Sequence, residues 1–141
     1  MSEDCLFCSI VAGDIPSRTV YEDEEVFAFL DVNPLARGHT LVIPKAHHER
    51  VGDLPPETAA AMGEAVARLT PAVEDSMDAE ATTVAVNNGE AAGQDVDHTH
   101  CHIVPRTGGD GAGALHTMFG RTLEFDEDEM DRVLEEIGAA L

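Results

Sequence analysis

Three histidines alternate with other residues in the run His98-Thr99-His100-Cys101-His102-Ile103-Val104. Successive side chains of a strand point to opposite faces. A strand over His98 to Val104 therefore puts the three imidazoles on one face and turns Thr99, Cys101 and Ile103 toward a core. Three imidazoles on one face cost desolvation and add little packing, so chemistry is a better reason for them than stability. Such a row can ligate a metal, form a solvated polar face, or act as nucleophile and proton carrier near neutral pH. The polar loop before it, Asn87 to Asp97, brings Asn87, Gly89, Gly93 and Gln94. Their amides and close backbone approach suit phosphate oxygens.

The rest of the chain supplies a frame for that strand. Cys5 to Ala12 reads as a short helical segment closed by Gly13. Val20–Tyr21 and Val26 to Leu30 read as strands joined by the acidic turn Glu22 to Glu25, and Thr40 to Ile43 as a central strand ended by Pro44. Pro55 and Pro56 suit a helix start, and Met62, Val66, Leu69, Val73 and Met77 then recur at helical spacing. Pro71 falls inside that pattern and should kink or split the helix. Thr83 to Val86 is a further strand. After the glycine-rich Gly108 to Gly113, Asp126 and Glu129 have capping-box spacing, and Met130, Val133, Leu134 and Ile137 give the last helix one apolar face. Strands without regular βαβ alternation imply an α+β fold, with a five-stranded antiparallel sheet and two main helices.

Length suits a single domain over 1–141, since 141 residues can bury one core. At 43% hydrophobic the chain is not a disordered acidic tail, and no apolar run approaches a membrane span. The acidic start Met1-Ser2-Glu3-Asp4 lacks the basic residues of a signal peptide, so the expected location is cytoplasmic. The formal net charge is -20 and Lys45 is the only lysine. Such a surface repels nucleic acid and anionic lipid, and it resembles the proteins of extreme halophiles, whose molar salt shortens the Debye length to about 3 Å. Three cysteines, Cys5, Cys8 and Cys101, do not make a disulfide framework and point to thiols or metal.

The histidine run, together with Cys5-Leu6-Phe7-Cys8, Gly13-Asp14-Ile15-Pro16-Ser17, Phe29-Leu30-Asp31, Gly38-His39-Thr40-Leu41-Val42-Ile43-Pro44-Lys45 and Val86-Asn87-Asn88-Gly89, resembles the histidine-triad (HIT) family of nucleotide-binding hydrolases. It looks closest to the compact zinc-binding prokaryotic branch. The resemblance implies that His100 is the nucleophile that attacks a nucleotide's α-phosphorus to give a nucleotidyl-histidine intermediate. It implies that His102 contacts the phosphate and assists the leaving group, and that His98 orients the other two. Asp31 then binds ribose hydroxyls, Asn87 and Gln94 hold phosphates, and Phe7, Ile10, Ile15 and Leu30 form the base pocket. Read from residue type alone, Asp31 and Asn87 are turn residues. Asp95 stands where one version of the family pattern has a serine that serves the leaving group.

The pair Cys5-x-x-Cys8 has structural-zinc spacing, although two free thiols are the alternative reading. The resemblance implies a structural Zn2+ held by Cys5, Cys8, His47 and His98, with His48 as the neighbouring alternative to His47. His39 and His116 read as structural or surface histidines. The implied activity is hydrolysis or transfer on purine nucleoside phosphoramidates or related phosphoanhydrides. The alternatives are a dinucleoside polyphosphate hydrolase and a nucleotide-binding sensor with incidental catalysis. A twofold homodimer is also implied, and the long helix and the strand edge near Thr83 to Val86 offer self-complementary surface.

Overall fold

The computed structural model describes residues 4–141 and divides the chain into two compact units, the first ending at Asp110 and the second running from Gly111 to Leu141. In the first unit the elements are α1 (Leu6–Val11), β1 (Thr19–Glu22), β2 (Val26–Leu30), β3 (Thr40–Pro44), α2 (Pro56–Ser76), β4 (Ala81–Ala85) and β5 (Cys101–Arg106). The five strands form one antiparallel sheet in the order β1-β2-β3-β5-β4, so β3 is central, as its unbroken apolar run implies, and β4 is an edge. The second unit carries α3 (Glu127–Ala140). Its N-cap Asp126 accepts a 2.8 Å hydrogen bond from the Glu129 amide, and its apolar residues Met130, Val133, Leu134 and Ile137 are exposed. The α+β class, the five antiparallel strands and the two main helices agree with the expectation, α1 being the short third helix.

The sheet separates two cores. On one face Met62, Ala65, Leu69 and Val73 of α2 pack on Val26, Ala28, Val42, Cys101 and Ile103. Each large aliphatic side chain buried there contributes about 1.5–3 kcal/mol of transfer free energy. On the other face Phe7, Cys8 and Ile10 of α1 pack with Phe27, Phe29, Leu41 and Ile43. Cys101 and Ile103 thus point into the α2 core, as the alternation requires, and burial raises the Cys101 thiol to about 11, leaving it a small apolar side chain.

Two expectations need correction. Pro71 does not split α2, which runs through it for 21 residues. Pro71 and Ala67, whose carbonyl loses its helical donor, are both on the exposed side, where a carbonyl without a helical donor is tolerated. The last strand begins at Cys101, and His98 to His100 form its lead-in. The β3–β5 ladder pairs Val42 with Cys101 and stops short of Pro44, which has no N–H to contribute. The lead-in bonds elsewhere, His98 N to Val96 O at 2.8 Å and Thr99 N to His48 O at 2.7 Å.

Candidate active site

Two of the triad imidazoles are held by a main-chain carbonyl and the third by another imidazole, and these partners decide which ring nitrogen carries the proton. His98 is fully buried, and its Nε2 lies 2.7 Å from the Pro44 carbonyl, which can only accept. Nε2 is therefore the protonated nitrogen and Nδ1 the bare one. His100 is the reverse. Its Nδ1 lies 2.8 Å from the His98 carbonyl, so the lone pair of Nε2 is free. His102 is set through a fourth histidine, His39. The Leu35 amide donates to His39 Nδ1 at 3.0 Å, so His39 carries its proton on Nε2 and donates to His102 Nδ1 at 2.9 Å. His102 then keeps its proton on Nε2, a buried atom with no hydrogen-bond partner among the described residues. Burial pulls both His39 and His102 below their ordinary value. Asp31 opposes this for both, while His100 and His39 deepen it for His102. Both rings are neutral near pH 7, the state this chain of donors needs.

The result is an unprotonated nitrogen on His100 beside a donor nitrogen on His102, with ring centroids 5.1 Å apart. They lie at one side of a cavity of about 830 Å³. Its lining includes Phe7, Ile10, Ile15 and Leu30, the four residues expected to hold a base. The Phe7 ring stands edge-on to His100 at 5.1 Å and to His98 at 5.8 Å, which holds the His100 ring against α1. Asp31 also lines the cavity. One of its oxygens accepts from the Asn33 amide at 2.8 Å, the local turn role, and the other lies 3.6 Å from His39 Nε2.

The two residues expected to hold phosphates sit differently. Asn87 and Gln94 are not part of the cavity lining. Gln94 Oε1 accepts from the Gly89 amide at 2.7 Å, and its Nε2 donates to the Glu49 and Val96 carbonyls at 2.7 and 2.9 Å. Both amide protons are thus spent, and the side chain acts as a clasp on the loop over the triad. Gly89 has φ +98, and a Cβ there would stand 2.7 Å from the Arg50 guanidinium, so the turn needs glycine. Arg18, Ser17 and Val96 are among the lining residues to which the sequence pattern assigned no site role. His39, set aside as structural or surface, is buried and holds a triad ring. His116 is exposed in the second unit, and His48 uses its carbonyl on Thr99.

Beneath the triad lies a second cluster. Cys5, Cys8, His47 and His98 offer ligand atoms all within 4.8 Å of one another. Cys5 Sγ is 3.4 Å and Cys8 Sγ 3.6 Å from His98 Nδ1, and Cys8 Sγ is 3.3 Å from His47 Nδ1. Tetrahedral zinc with Zn–S of about 2.3 Å and Zn–N of about 2.0 Å requires sulfur and nitrogen roughly 3.5 Å apart. The bare Nδ1 of His98, oriented by the Pro44 carbonyl on its other nitrogen, is the arrangement a metal-bound imidazole uses. The four residues fit Zn2+ before any change of conformation, and the cluster takes His47 rather than His48.

A nucleotide-sized cavity, an unprotonated imidazole nitrogen and an adjacent imidazole donor give the site the parts of a nucleophile and a charge-stabilising donor. A family model of the HIT domain matches residues 12–109, and the chain belongs to that family. A HIT-family structure from Bacillus subtilis superimposes with a TM-score of 0.89 at 41% identity, covering 99% of this chain and 98% of that one. A zinc-bound histidine-triad structure from Mycobacterium smegmatis has a TM-score of 0.74 at 38% identity, covering 98% of both chains. Adenylylsulfatase HINT3 of Arabidopsis thaliana is 38% identical over 128 residues, 91% of this chain and 65% of that protein. Adenosine 5'-monophosphoramidase HNT1 of Saccharomyces cerevisiae is 39% identical over 102 residues, 72% of this chain and 62% of that protein. The family to which this chain belongs thus includes nucleotide-binding hydrolases. Among the described residues no helix is long and apolar enough to cross a membrane.

Proposed function

We propose that this protein hydrolyses purine nucleoside phosphoramidates, and related adenylyl anhydrides more slowly, through a nucleotidyl group carried on His100. The observation that carries the reading is the complementary pair of tautomers, a lone pair on His100 Nε2 beside a proton on His102 Nε2. The named activities of HINT3 and HNT1 support it.

The purine lies among Phe7, Ile10, Ile15 and Leu30, with the ribose hydroxyls toward Asp31. The phosphoramidate reacts as its N-protonated form. His100 Nε2 donates its lone pair to the α-phosphorus as the P–N bond breaks. The bonding pair leaves with the nitrogen, and the departing group is a neutral amine. The nucleotidylated ring keeps its Nδ1 proton on the His98 carbonyl and carries a positive charge. His102 Nε2–H donates to a phosphoryl oxygen, which neutralises charge without a metal at the reacting centre. Water then attacks phosphorus, loses a proton to solvent, and releases the nucleoside monophosphate and neutral His100.

The same reading assigns a structural Zn2+ to Cys5, Cys8, His47 and His98. When bound, it fixes α1 and the His98 main chain on which the His100 tautomer depends. It also takes 1–141 as one functional HIT domain. It includes a homodimer, for which the open edge of β4 and its exposed Val84 offer a surface, and a working medium of high salt. Steady-state hydrolysis of adenosine phosphoramidate, adenylyl sulfate and a dinucleoside polyphosphate tests the substrate order. The phosphoramidate should give the highest kcat/KM, and a dinucleoside polyphosphate turned over faster would transfer the assignment to that class.

A further inference from the structure

Asp95 is the one charged residue of the cavity lining that approaches the nucleophile, with Oδ1 3.5 Å from His100 Nε2. Its side chain is 84% exposed, which places it on the solvent side of the cavity, whereas Phe7 and Ile10 in the same lining are buried. A nucleotide with its base among those apolar residues and its α-phosphorus at His100 has one part left over, the leaving group, and that part must exit on the solvent side. The other charged lining residues are Arg18 and Asp31, and Asp31 already accepts from the Asn33 amide. The Gln94 clasp holds the backbone on both sides of Asp95, through Gly89 and Val96, so the carboxylate is presented by a fixed loop.

Resting on the nucleotidyl-transfer reading above, we propose that Asp95 selects substrates by the charge of the leaving group, favouring nucleoside phosphoramidates of cationic amines and disfavouring anionic leaving groups. The reaction itself is unchanged: Nε2 forms the N–P bond, the P–N bond breaks, and the amine departs with the proton it carried. Asp95 touches neither bond. It stabilises the ammonium character of the reacting nitrogen and any further positive charge on the amine, and it repels a carboxylate, sulfate or phosphate at the same place. At about 4 Å a unit charge pair is worth roughly a fivefold preference even in bulk water. Exchanging a cation for an anion therefore moves the ratio by up to about 25-fold. Salt shrinks this, because the Debye length falls from roughly 10 Å at 0.1 M to 3 Å at 1 M.

The test uses two adenosine 5'-phosphoramidates with the same P–N linkage, one formed with ethylenediamine and one with glycine. For wild type, Asp95→Asn and Asp95→Glu, kcat/KM is measured for both, at the lowest salt that keeps the protein folded and again at 1 M. Comparing each variant's cation-to-anion ratio with that of wild type cancels the intrinsic reactivity of the two amines. Asp95→Asn should lower that ratio at least fivefold, Asp95→Glu should keep it within twofold, and the difference between wild type and Asp95→Asn should shrink at 1 M salt. A ratio that Asp95→Asn leaves unchanged while both compounds are turned over removes Asp95 from specificity and leaves the triad assignment standing. Absence of turnover of both compounds by folded wild type overturns the specificity proposal and the nucleotidyl-transfer reading together.

Discussion

Replacing His39 by leucine removes the link that fixes His102, and the structure sets the size of the effect. Two groups lose a partner, the Leu35 amide and His102 Nδ1. Leu35 is 79% exposed, whereas His102 sits inside the sheet opposite Leu41, so His102 Nδ1 becomes the real orphan. An unpaired buried acceptor costs about 1–3 kcal/mol. Leucine restores the lost volume, so the thermal midpoint should fall by only a few degrees. The catalytic loss is larger. Without its donor, His102 escapes the cost by moving its own proton to Nδ1, and that removes the donor from Nε2. Losing one preorganised donor at a phosphoryl or acyl centre lowers kcat by about 10²–10³. His39→Gln is the control, since its amide nitrogen sits near the position of Nε2 and still donates to His102 Nδ1. The assay is single-turnover nucleotidylation with an adenosine phosphoramidate, paired with nitrogen NMR of the His102 ring. The expected result is a loss of 10- to 1,000-fold for His39→Leu with kcat falling more than KM rises, a mixed or inverted His102 tautomer, and recovery to within about tenfold in His39→Gln. A folded His39→Leu protein within twofold of wild type, or a His39→Gln as impaired as His39→Leu, would refute the relay.

Elemental analysis of protein purified without chelator should find about one zinc per chain, and Cys8→Ser should lose it together with several degrees of thermal midpoint; a metal-free wild type excludes the cluster as a zinc site. Burial lowers the His39 and His102 titrations beneath the ordinary 6.5, so the unfolded chain takes up protons first as pH falls; their contribution is present above about 6.5 and is lost on acidification. Because acid also relieves the -20 surface, the readout is the difference in midpoint between wild type and His39→Gln from pH 8 to 5, which should narrow as pH falls; a constant difference would show that His39 does not titrate there. Thermal midpoint and turnover should both rise from dilute buffer to molar chloride, and flat curves would remove the halophilic reading while leaving the triad assignment intact.

The sheet and helices were readable because each rests on a periodic pattern. Thr40 to Ile43 is continuous and central, and Met62, Leu69 and Val73 recur on one helical face and bury there. The triad was readable because alternation survives even where the ladder does not: Pro44 ends the pairing, yet the rings of His98, His100 and His102 still meet the α1 side. What the sequence did not disclose depends on register. His39 and His102 lie 63 positions apart and meet because Leu41 pairs with His102 across β3 and β5, and no local pattern encodes that pairing. Gln94 was legible as an amide near phosphate. Its use as a clasp follows from three backbone groups, on Gly89, Glu49 and Val96, that only the folded loop assembles.

The central claim is that His100 Nε2 carries the nucleotidyl group. Wild-type protein mixed in molar salt with an adenosine phosphoramidate, quenched within the first turnover and analysed by intact-mass and peptide mass spectrometry, should carry one adenylyl group, on the peptide containing His100 and at Nε2 of that ring. His100→Asn should fold with an unchanged circular dichroism spectrum and carry none. An adenylyl group on another residue, or His100→Asn turning over at the wild-type rate, would contradict the account.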